Sequence, residues 1–317
     1  MTTTERSKKT CQVHYVEHPE SHIDIGPHVF PIEKYRLLPD LLRSELGIPD
    51  GRFHQADRLA EGDLARVHTA AYVSDLRHAR TTPATAASEL PVTLPVIQGF
   101  LAMTGGSITA VRLALEHGIG FHLGGGFHHA FADHAEGFCY VHDVAVAIER
   151  SRVNRTLGTV LIVDVDVHQG NGTAAIYAND ANTFTYSIHQ ERNYPVKQRS
   201  DVDRGLADGV EDEEYLRILA ADLDMIETRF DPQLVCYLAG VDPYEHDQLG
   251  GLKVTQEGLE RRDRYVFDRF VERGIPIAVL LAGGYARTPH ETCRLHAGTA
   301  RAAEAGAYER NVLGVRT

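Results

Sequence analysis

Residues 159–173 have the sequence TVLIVDVDVHQGNGT, in which an aliphatic run passes directly into two acids and a histidine. The run at residues 160–163 predicts a strand that is buried on both faces. Asp164, Asp166 and His168 alternate with valines, so an extended backbone places all three on one side. Aspartate is rare in strands, and a buried carboxylate without a partner is very costly. The stretch therefore predicts a metal site or a hydrogen-bonded loop at a strand end, and this cost favours the metal.

Other aliphatic runs on either side of this stretch also end near glycine or an acid. Their almost continuous hydrophobicity predicts a parallel sheet covered on both faces. Segments with helical periodicity lie between them, and this alternation predicts βαβ units in one α/β domain, since no linker divides the chain. The predicted strands are residues 118–123, 159–165, 183–188, 234–239 and 276–282. The predicted helices are residues 39–46, 61–68, 99–117, 212–229 and 255–273, the last beginning at Thr255.

The composition is that of an ordinary globular protein, with 43% hydrophobic and 24% charged residues. A formal net charge of -12 argues against nucleic-acid binding, because phosphate contacts need clustered Lys and Arg. The same charge suits a cationic substrate, although solubility alone is the simpler reason for it. The four cysteines are scattered and form no CxxC pair, so they predict reduced thiols rather than disulfides or a thiolate zinc site.

The sequence predicts no membrane span, because its longest aliphatic run, residues 160–163, is far shorter than the roughly 20 residues that a bilayer requires. The opening segment MTTTERSKKT carries charges without an apolar core, so it does not predict a secretory signal. We therefore expect a cytoplasmic protein. Residues 1–10 are expected to be disordered and residues 11–317 to form a single domain.

A second buried strand is also followed by an acid. Residues 234–251 have the sequence LVCYLAGVDPYEHDQLGG, which presents Asp242 just after the strand. Taken alone, such an aspartate is more often a turn or cap residue. Open α/β sheets bind ligands at the carboxyl ends of their strands, so we expect Asp242 to join Asp166 and His168 as a third metal ligand. Three protein ligands leave open positions as in catalytic zinc sites, although Fe(II) and Mn(II) suit the same donors.

Two further motifs follow predicted strands. Residues 122–134, HLGGGFHHAFADH, place His128 and His129 after three glycines, which allow a tight turn and a close approach to a ligand. Imidazole is the usual general base near neutral pH, although a histidine pair in a loop is more often a surface feature. Residues 276–286, PIAVLLAGGYA, contain Tyr285, which would donate to an oxyanion unless it is simply a packed aromatic. The coincidence of four strand ends favours catalysis.

Together, the motifs GGGFHH, DVDVHQGNG, AGVD and GGY resemble those of the zinc-dependent histone deacetylase family, over residues 10–300. The forms HQGNG, DQLGGL and DEEYL are most similar to the class IV branch and its bacterial relatives. The resemblance implies an arginase/deacetylase-like fold, which is a single-domain three-layer α/β/α structure with a central eight-stranded parallel sheet. It also implies that residues 11–317 are a deacetylase-like catalytic domain, with its active site at the bottom of a narrow tunnel.

The resemblance also implies roles for the catalytic residues. By motif position these are the metal ligands Asp166, His168 and Asp242, the general base His129, the second histidine His128, the transition-state tyrosine Tyr285, and the supporting residues Asp164 for His128 and Asn171 for His129. The implied cofactor is one Zn²⁺, with Fe²⁺ as the alternative. Class I members carry an acid where this chain has Asn171, whereas classes II and IV share the asparagine. Because a neutral amide stabilises an imidazolium less than a carboxylate does, His129 is expected to be neutral more readily.

A substrate tunnel and a second cation are also implied by the resemblance. The residues expected to bind the substrate are Gly137, Phe138, Tyr194 opposite Phe138, Leu249, and Gly284 as a hydrogen-bond acceptor. A structural K⁺ or Na⁺ is expected at Asp164, Asp166, His168, Ser187 and Ile188, partly through main-chain oxygens.

The implied reaction is hydrolysis of the acyl amide of an N-acyl-lysine, in a protein or peptide, by metal-activated water with His129 as base. Similarity to class IV raises the hypothesis that long fatty acyl groups are removed better than acetyl. An acetylpolyamine or other small acyl-amine amidohydrolase is the main alternative, because it would use the same catalytic residues. The difference would lie in rim loops such as residues 18–31, HPESHIDIGPHVFP.

Two other functions are disfavoured by the same residues. A silent acyl-lysine-binding protein would not need the complete set of chemical groups, Tyr285 included, that this chain retains. A binuclear manganese ureohydrolase would need further carboxylates to bridge its two ions. Gly170 and Tyr244 stand at the positions where such enzymes place them.

Overall fold

Eight parallel strands form one sheet in the computed structural model, which describes residues 10–18, 23–153 and 157–313. The strands are β1 (Gln12–Glu17), β2 (Phe53–Gln55), β3 (Gly118–His122), β4 (Val160–Asp164), β5 (Thr183–Gln190), β6 (Val202–Leu206), β7 (Leu234–Leu238) and β8 (Ile277–Leu280). Their order across the sheet is β2-β1-β3-β8-β7-β4-β5-β6. The predicted eight-stranded parallel sheet is therefore confirmed. Of the N-terminus expected to be disordered, residues 1–9 lie outside the described residues, as do residues 314–317 of the expected domain.

Helices cover both faces of this sheet. They are α1 (Lys34–Glu45), α2 (Ala70–Arg77), α3 (Pro83–Ala86), α4 (Leu94–His117), α5 (Asp143–Arg152), α6 (Asn171–Tyr177), α7 (Asp212–Glu227), α8 (Gln256–Glu272) and α9 (Pro289–Leu313). Alternate residues of the central strands pack into different cores. In β4, Val160 and Ile162 belong to a buried cluster that includes residues of α4 and α5, whereas Leu161 and Val163 belong to a larger cluster that includes residues of α7, α8 and α9. The result is the predicted three-layer α/β/α fold.

Aliphatic runs in the sequence mark only the most apolar strands. All five predicted runs contain a strand, β3, β4, β5, β7 or β8, but no run indicated β1, β2 or β6. β1 has the sequence QVHYVE, in which polar residues interrupt the apolar ones. β2 has three residues, and β6 exposes Asp203, Arg204 and Gly205. Edge strands pair on one side only and carry polar residues, so β2 and β6 lack the run that marks a buried strand.

Hydrogen bonds from side chain to backbone account for two outcomes of the helix predictions. One is the start of the helix at Thr255, and the other is the absence of a helix over residues 61–68. Thr255 precedes α8, and its hydroxyl accepts a hydrogen bond from the Gly258 amide at 3.0 Å, as an N-cap residue does. The helix predicted over residues 61–68 is wrong, because the structure has only a 3₁₀ turn at Leu64–Arg66. The buried side chain of Asp63 accepts a hydrogen bond from the Ala60 amide at 2.7 Å, which folds the segment into a turn.

The central helix α4 contains the helix predicted over residues 99–117 and is apolar along much of its length. Among the described residues it alone is long and apolar enough to cross a membrane by length and composition, and 72% of its most apolar window is buried in the fold. A core helix passes the same test, so this is weak evidence for a span. The length of unbroken aliphatic runs does not indicate how apolar this helix is, because glycine, serine and threonine interrupt its aliphatic residues.

The strand order places the four sequence motifs side by side. β3, β8, β7 and β4 are consecutive neighbours in the sheet, and the segments GGGFHH, AGGY, AGVD and VDVH follow or end them in that order. Because all strands are parallel, their carboxyl ends lie along one edge. Loops that are distant in the chain are therefore neighbours at this edge.

The loops after β3 and β8 are in direct contact. The amide of Leu281 donates to the Gly124 carbonyl at 3.0 Å, and the amide of Ala282 donates to the Gly125 carbonyl at 3.0 Å. These bonds continue the pairing of the two strands beyond their ends. The loop with the histidine pair is thereby joined to the loop with Tyr285.

Close packing of α4 on β3 gives a test of the fold. A Cβ atom added at Gly120 would lie 1.9 Å from the Ala110 carbonyl oxygen, whereas one added at Gly51 would meet nothing within 4 Å. We expect Gly120→Ala to lower the free energy of unfolding by about 1–3 kcal/mol, because the helix must move away from the strand. Gly51→Ala should change it by less than about 0.5 kcal/mol. Urea unfolding of both variants measures this, and equal midpoints would contradict the packing described.

Candidate active site

Asp166, His168 and Asp242, the three residues expected to bind a metal, converge at the carboxyl edge of the sheet. Their ligand atoms all lie within 4.8 Å of one another, and all three residues are buried. His168 Nδ1 is 3.1 Å from Asp166 Oδ1 and 3.3 Å from Asp242 Oδ2. β4 and β7 are adjacent and in register along their whole length, which brings the segments after them together.

Backbone amides hold the two carboxylates in place. Gly283 N donates to Asp166 Oδ2 at 2.7 Å, and Val167 N donates to Asp242 Oδ1 at 2.8 Å. A Cβ atom at Gly283 would lie 2.1 Å from Asp242 Oδ2, so this position requires glycine for the close approach. The carboxylates are therefore oriented before any ligand binds.

The donor set fits a divalent cation. Asp242 Oδ2 is buried and makes no hydrogen bond. Burial and the neighbouring Asp166 raise the pKa of Asp242 to about 8. Burial opposes the charged form of His168, but the adjacent carboxylates of Asp166 and Asp242 raise its pKa to about 10. Two carboxylates and an imidazole so arranged need positive charge among them, which a divalent metal would supply in place of the imidazole proton.

The histidine pair is carried by the glycine-rich loop after β3. Gly125 and Gly126 have φ values of +67° and +83°, which only glycine adopts readily. The buried carboxylate of Asp143 accepts hydrogen bonds from the amides of Gly126 and Phe127 at 3.0 and 2.7 Å. This anchor, which the motifs do not indicate, fixes the loop just before the two histidines.

The two histidines contact different supporting residues. His128 Nδ1 lies 2.7 Å from Asp164 Oδ2, and His129 Nδ1 lies 2.8 Å from Asn171 Oδ1. Burial favours neutral His128, but Asp164 and Asp166 outweigh it and raise its pKa to about 9. Burial, together with His128 and His168, lowers the pKa of His129 well below its usual value. Adjacent groups with divergent pKa values can serve as acid and base.

A pocket of about 180 Å³ leads to this cluster. Its lining consists of Glu89, His129, Gly137, Phe138, His168, Asn193, Tyr194, Leu249 and Tyr285. Four of the residues expected to bind substrate, Gly137, Phe138, Tyr194 and Leu249, therefore line one pocket with the candidate general base. The fifth expected residue, Gly284, is among the described residues but does not line this pocket. Its role in substrate binding stays a prediction.

Tyr285 lines the same pocket and lies close to the metal-ligand candidates. Its ring centroid is 6.2 Å from that of His168 and 6.0 Å from that of Phe138. Burial, followed by the charges of Asp166 and Asp242, raises the pKa of Tyr285 well above its usual value. The phenol therefore keeps its proton and can act as a hydrogen-bond donor.

Sequence reasoning missed several residues that support this site. Asp247 accepts a hydrogen bond from the Tyr285 amide at 2.7 Å, and the fully buried Lys34 donates to the Ala282 carbonyl at 2.8 Å. Glu89 and Asn193 line the pocket. Asp247 belongs to the stretch DQLGG, so that motif was a usable signal, whereas the others follow only from the folded chain.

The residues expected to hold a monovalent cation are also close together. Asp164 of β4 and Ser187 of β5 are register partners in adjacent strands, and Ile188 follows Ser187 in the same strand. All five residues of the expected site are buried, namely Asp164, Asp166, His168, Ser187 and Ile188. The cation itself stays a prediction.

Comparison with known proteins agrees with this architecture. The family model described as the histone deacetylase domain matches residues 28–300. The chain is 40% identical over 291 residues to an uncharacterized protein of Picosynechococcus, covering 91% of this chain and 97% of that one. It is 33% identical over 237 residues to histone deacetylase 2 of Arabidopsis thaliana, covering 71% of this chain and 61% of the plant protein.

A solved structure shows the same fold. The crystal structure of a histone deacetylase homologue from Aquifex aeolicus superposes with a TM-score of 0.78 at 22% identity, covering 94% of this chain and 88% of that one. The site and the family match together define a deacetylase-type hydrolase. The chain belongs to the histone deacetylase family.

Measuring the metal content tests whether the triad of Asp166, His168 and Asp242 binds a metal ion. We expect Asp242→Asn to weaken binding of a divalent metal by about 10-fold or more, because it removes one charged ligand. Asp224→Asn, at a side chain that is 69% exposed, should bind metal like the parent protein. Elemental analysis after dialysis at limiting metal measures both, with circular dichroism to check folding. Equal metal content in a folded Asp242→Asn variant would exclude this residue as a ligand.

Proposed function

We propose that this chain is a zinc-dependent N-acyl-lysine deacylase that hydrolyses the acyl amide of a protein or peptide substrate. The observation that carries the proposal is that His129, His168 and Tyr285 line the same pocket. A base, a metal ligand and an oxyanion donor are thus available to one substrate carbonyl. The family membership of the chain supports the same reaction class.

The pocket walls suit an acyl-lysine. Phe138, Leu249 and the ring of Tyr194 supply apolar surface along the pocket, which would pack against the aliphatic stem of a lysine side chain. Phe138 also contacts Phe30 and His28, with ring centroids 5.9 and 4.8 Å away. Both belong to the rim segment at residues 18–31, of which residues 19–22 lie outside the described residues. Its described part therefore reaches the pocket wall, where it could select among substrates.

The protein groups divide the proton transfers between them. Bound zinc would polarise the acyl carbonyl and lower the pKa of water. His129 would accept a proton at Nε2, since its Nδ1 faces Asn171. His128, charged through Asp164, would hold a proton for the departing amine. Tyr285 would donate its hydroxyl hydrogen to the developing oxyanion.

A small acyl-amine is the second candidate substrate. Glu89 lines the pocket and is exposed, so its carboxylate would attract a further amine of an acylated polyamine. The net charge of -12 would favour the approach of such a cation. Both candidates use the same catalytic groups, so only substrate comparison separates them.

A substrate panel with a Tyr285 variant tests the proposal. The zinc-loaded protein is assayed on acetyl-lysine to myristoyl-lysine peptides and on acetylated polyamines. We expect peptide hydrolysis, and we expect Tyr285→Phe to lower kcat by about 10²–10³-fold, because it removes an oxyanion donor. Tyr308→Phe, at a residue that is 69% exposed, should retain parental activity. Preference for polyamines would support the second candidate, and full activity of Tyr285→Phe would refute its assigned role.

The pH dependence tests His128. Because its pKa is raised to about 9, the charged form is present below that value and is lost above it, so kcat/KM should fall as pH rises through it. Asp164→Asn removes the carboxylate that favours the charged form, and we expect the descending limb to move to lower pH by about 1 pH unit or more. Asp133→Asn, at a side chain that is 69% exposed, should leave the limb in place. An unmoved limb in Asp164→Asn would argue against His128 as the proton donor.

A further inference from the structure

Glu136 lies between the histidine pair and the pocket wall, and the roles described above do not use it. Its Oε1 accepts a hydrogen bond from Asn171 Nδ2 at 2.7 Å and another from the Tyr194 hydroxyl at 3.0 Å. The Glu136 side chain is 25% exposed, whereas Asn171 is buried. One carboxylate thus contacts the partner of His129 and a residue of the pocket wall.

An asparagine can present either its oxygen or its nitrogen to a neighbour. Asn171 Oδ1 is 2.8 Å from His129 Nδ1 and also accepts from the Gly172 amide at 3.0 Å. A carboxylate can only accept, so Glu136 requires the nitrogen end of the Asn171 amide. With the oxygen facing His129, the proton lies on Nδ1, and Nε2 presents the lone pair that a general base needs.

The backbone holds Glu136 rigidly. Glu136 and Cys139 exchange backbone hydrogen bonds of 3.2 and 2.9 Å around a tight turn. Within it, Gly137 and Phe138 have φ values of +48° and +64°, and the Phe138 amide donates to the Ser88 carbonyl at 2.9 Å. A positive φ at a phenylalanine persists only where surrounding contacts impose it. The turn that presents the pocket wall therefore also sets the backbone position from which the Glu136 side chain reaches Asn171.

We propose that Glu136 is a positioning residue that orients the Asn171 amide and so selects the His129 tautomer with a free Nε2. The catalytic significance of this selection rests on the proposed function of His129 as base. The amide of Asn171 leaves His129 without a charged direct partner, and Glu136 restores the orientation that a carboxylate in direct contact would impose by itself.

A double-mutant cycle tests this role. We expect Glu136→Ala to lower kcat by about 10-fold or more with little change in KM, as losses of supporting hydrogen bonds do. In the Asn171→Asp background, either carboxylate oxygen accepts from Nδ1, so Glu136→Ala should have no effect or should raise kcat by removing charge repulsion. Glu136→Gln keeps an acceptor oxygen and should lie closer to wild type than Glu136→Ala. Equal losses in both backgrounds would overturn the proposal, because additivity indicates independent roles.

Tyr194→Phe separates the contact of Glu136 with Tyr194 from its contact with Asn171. If Glu136 acted through the pocket wall, this variant would reproduce the kcat loss of Glu136→Ala. We expect it instead to change KM, with a kcat loss clearly smaller than that of Glu136→Ala. If Tyr194→Phe lost as much kcat as Glu136→Ala, Glu136 would act through Tyr194 rather than through Asn171, and the proposal would be contradicted.

The tautomer is measured without substrate. In ¹⁵N-histidine-labelled protein, two-bond ¹H–¹⁵N correlations identify the protonated ring nitrogen of His129. We expect the Nδ1–H form in wild type and a mixture of tautomers in Glu136→Ala, with Nδ1–H regained in Glu136→Ala/Asn171→Asp. An unchanged tautomer in Glu136→Ala would refute the orienting role. A changed tautomer in a protein inactive on every acyl amine would support it and reject the proposed function instead.

Discussion

The active site depends on two carboxylates, Asp166 and Asp242, that are buried side by side. Both cannot be ionised there without compensation, and the raised pKa of Asp242 expresses this electrostatic cost. Backbone amides of Gly283 and Val167 satisfy one oxygen on each, while Asp242 Oδ2 makes no hydrogen bond. The fold thus presents oxygen atoms that are oriented but not neutralised, which suits a metal ion better than a purely hydrogen-bonded loop.

The parallel sheet makes this convergence possible. β3, β8, β7 and β4 are consecutive neighbours, so four chain segments end at one edge and contribute the histidine pair, the tyrosine and the triad. The glycines at these strand ends are needed where backbone approaches side chain, as at Gly283 beside Asp242. Packing and chemistry therefore constrain the same short segments, which explains why they stand out in the sequence.

Unequal partners differentiate the two adjacent histidines. Asp164 gives His128 a charged neighbour, whereas Asn171 gives His129 a neutral one. The pKa values move apart accordingly, upward for His128 and downward for His129. The two rings are buried side by side, so the difference in pKa comes largely from one partner residue for each histidine. Under the proposed function, such a pair would supply the acid and the base of amide hydrolysis.

The local sequence alone was enough to indicate the most apolar strands, the cluster of Asp166, His168 and Asp242, and the histidine pair. Aliphatic runs, and the polar residues that follow them directly, can be read from the sequence without the fold. The edge strands β2 and β6 lack such runs and become strands only by pairing with a neighbour. Glu89, Glu136 and Lys34 have ordinary polar side chains whose significance lies in what surrounds them. Their contacts join residues far apart in sequence, such as Lys34 and Ala282, and such contacts are decided only when the sheet and its loops have packed.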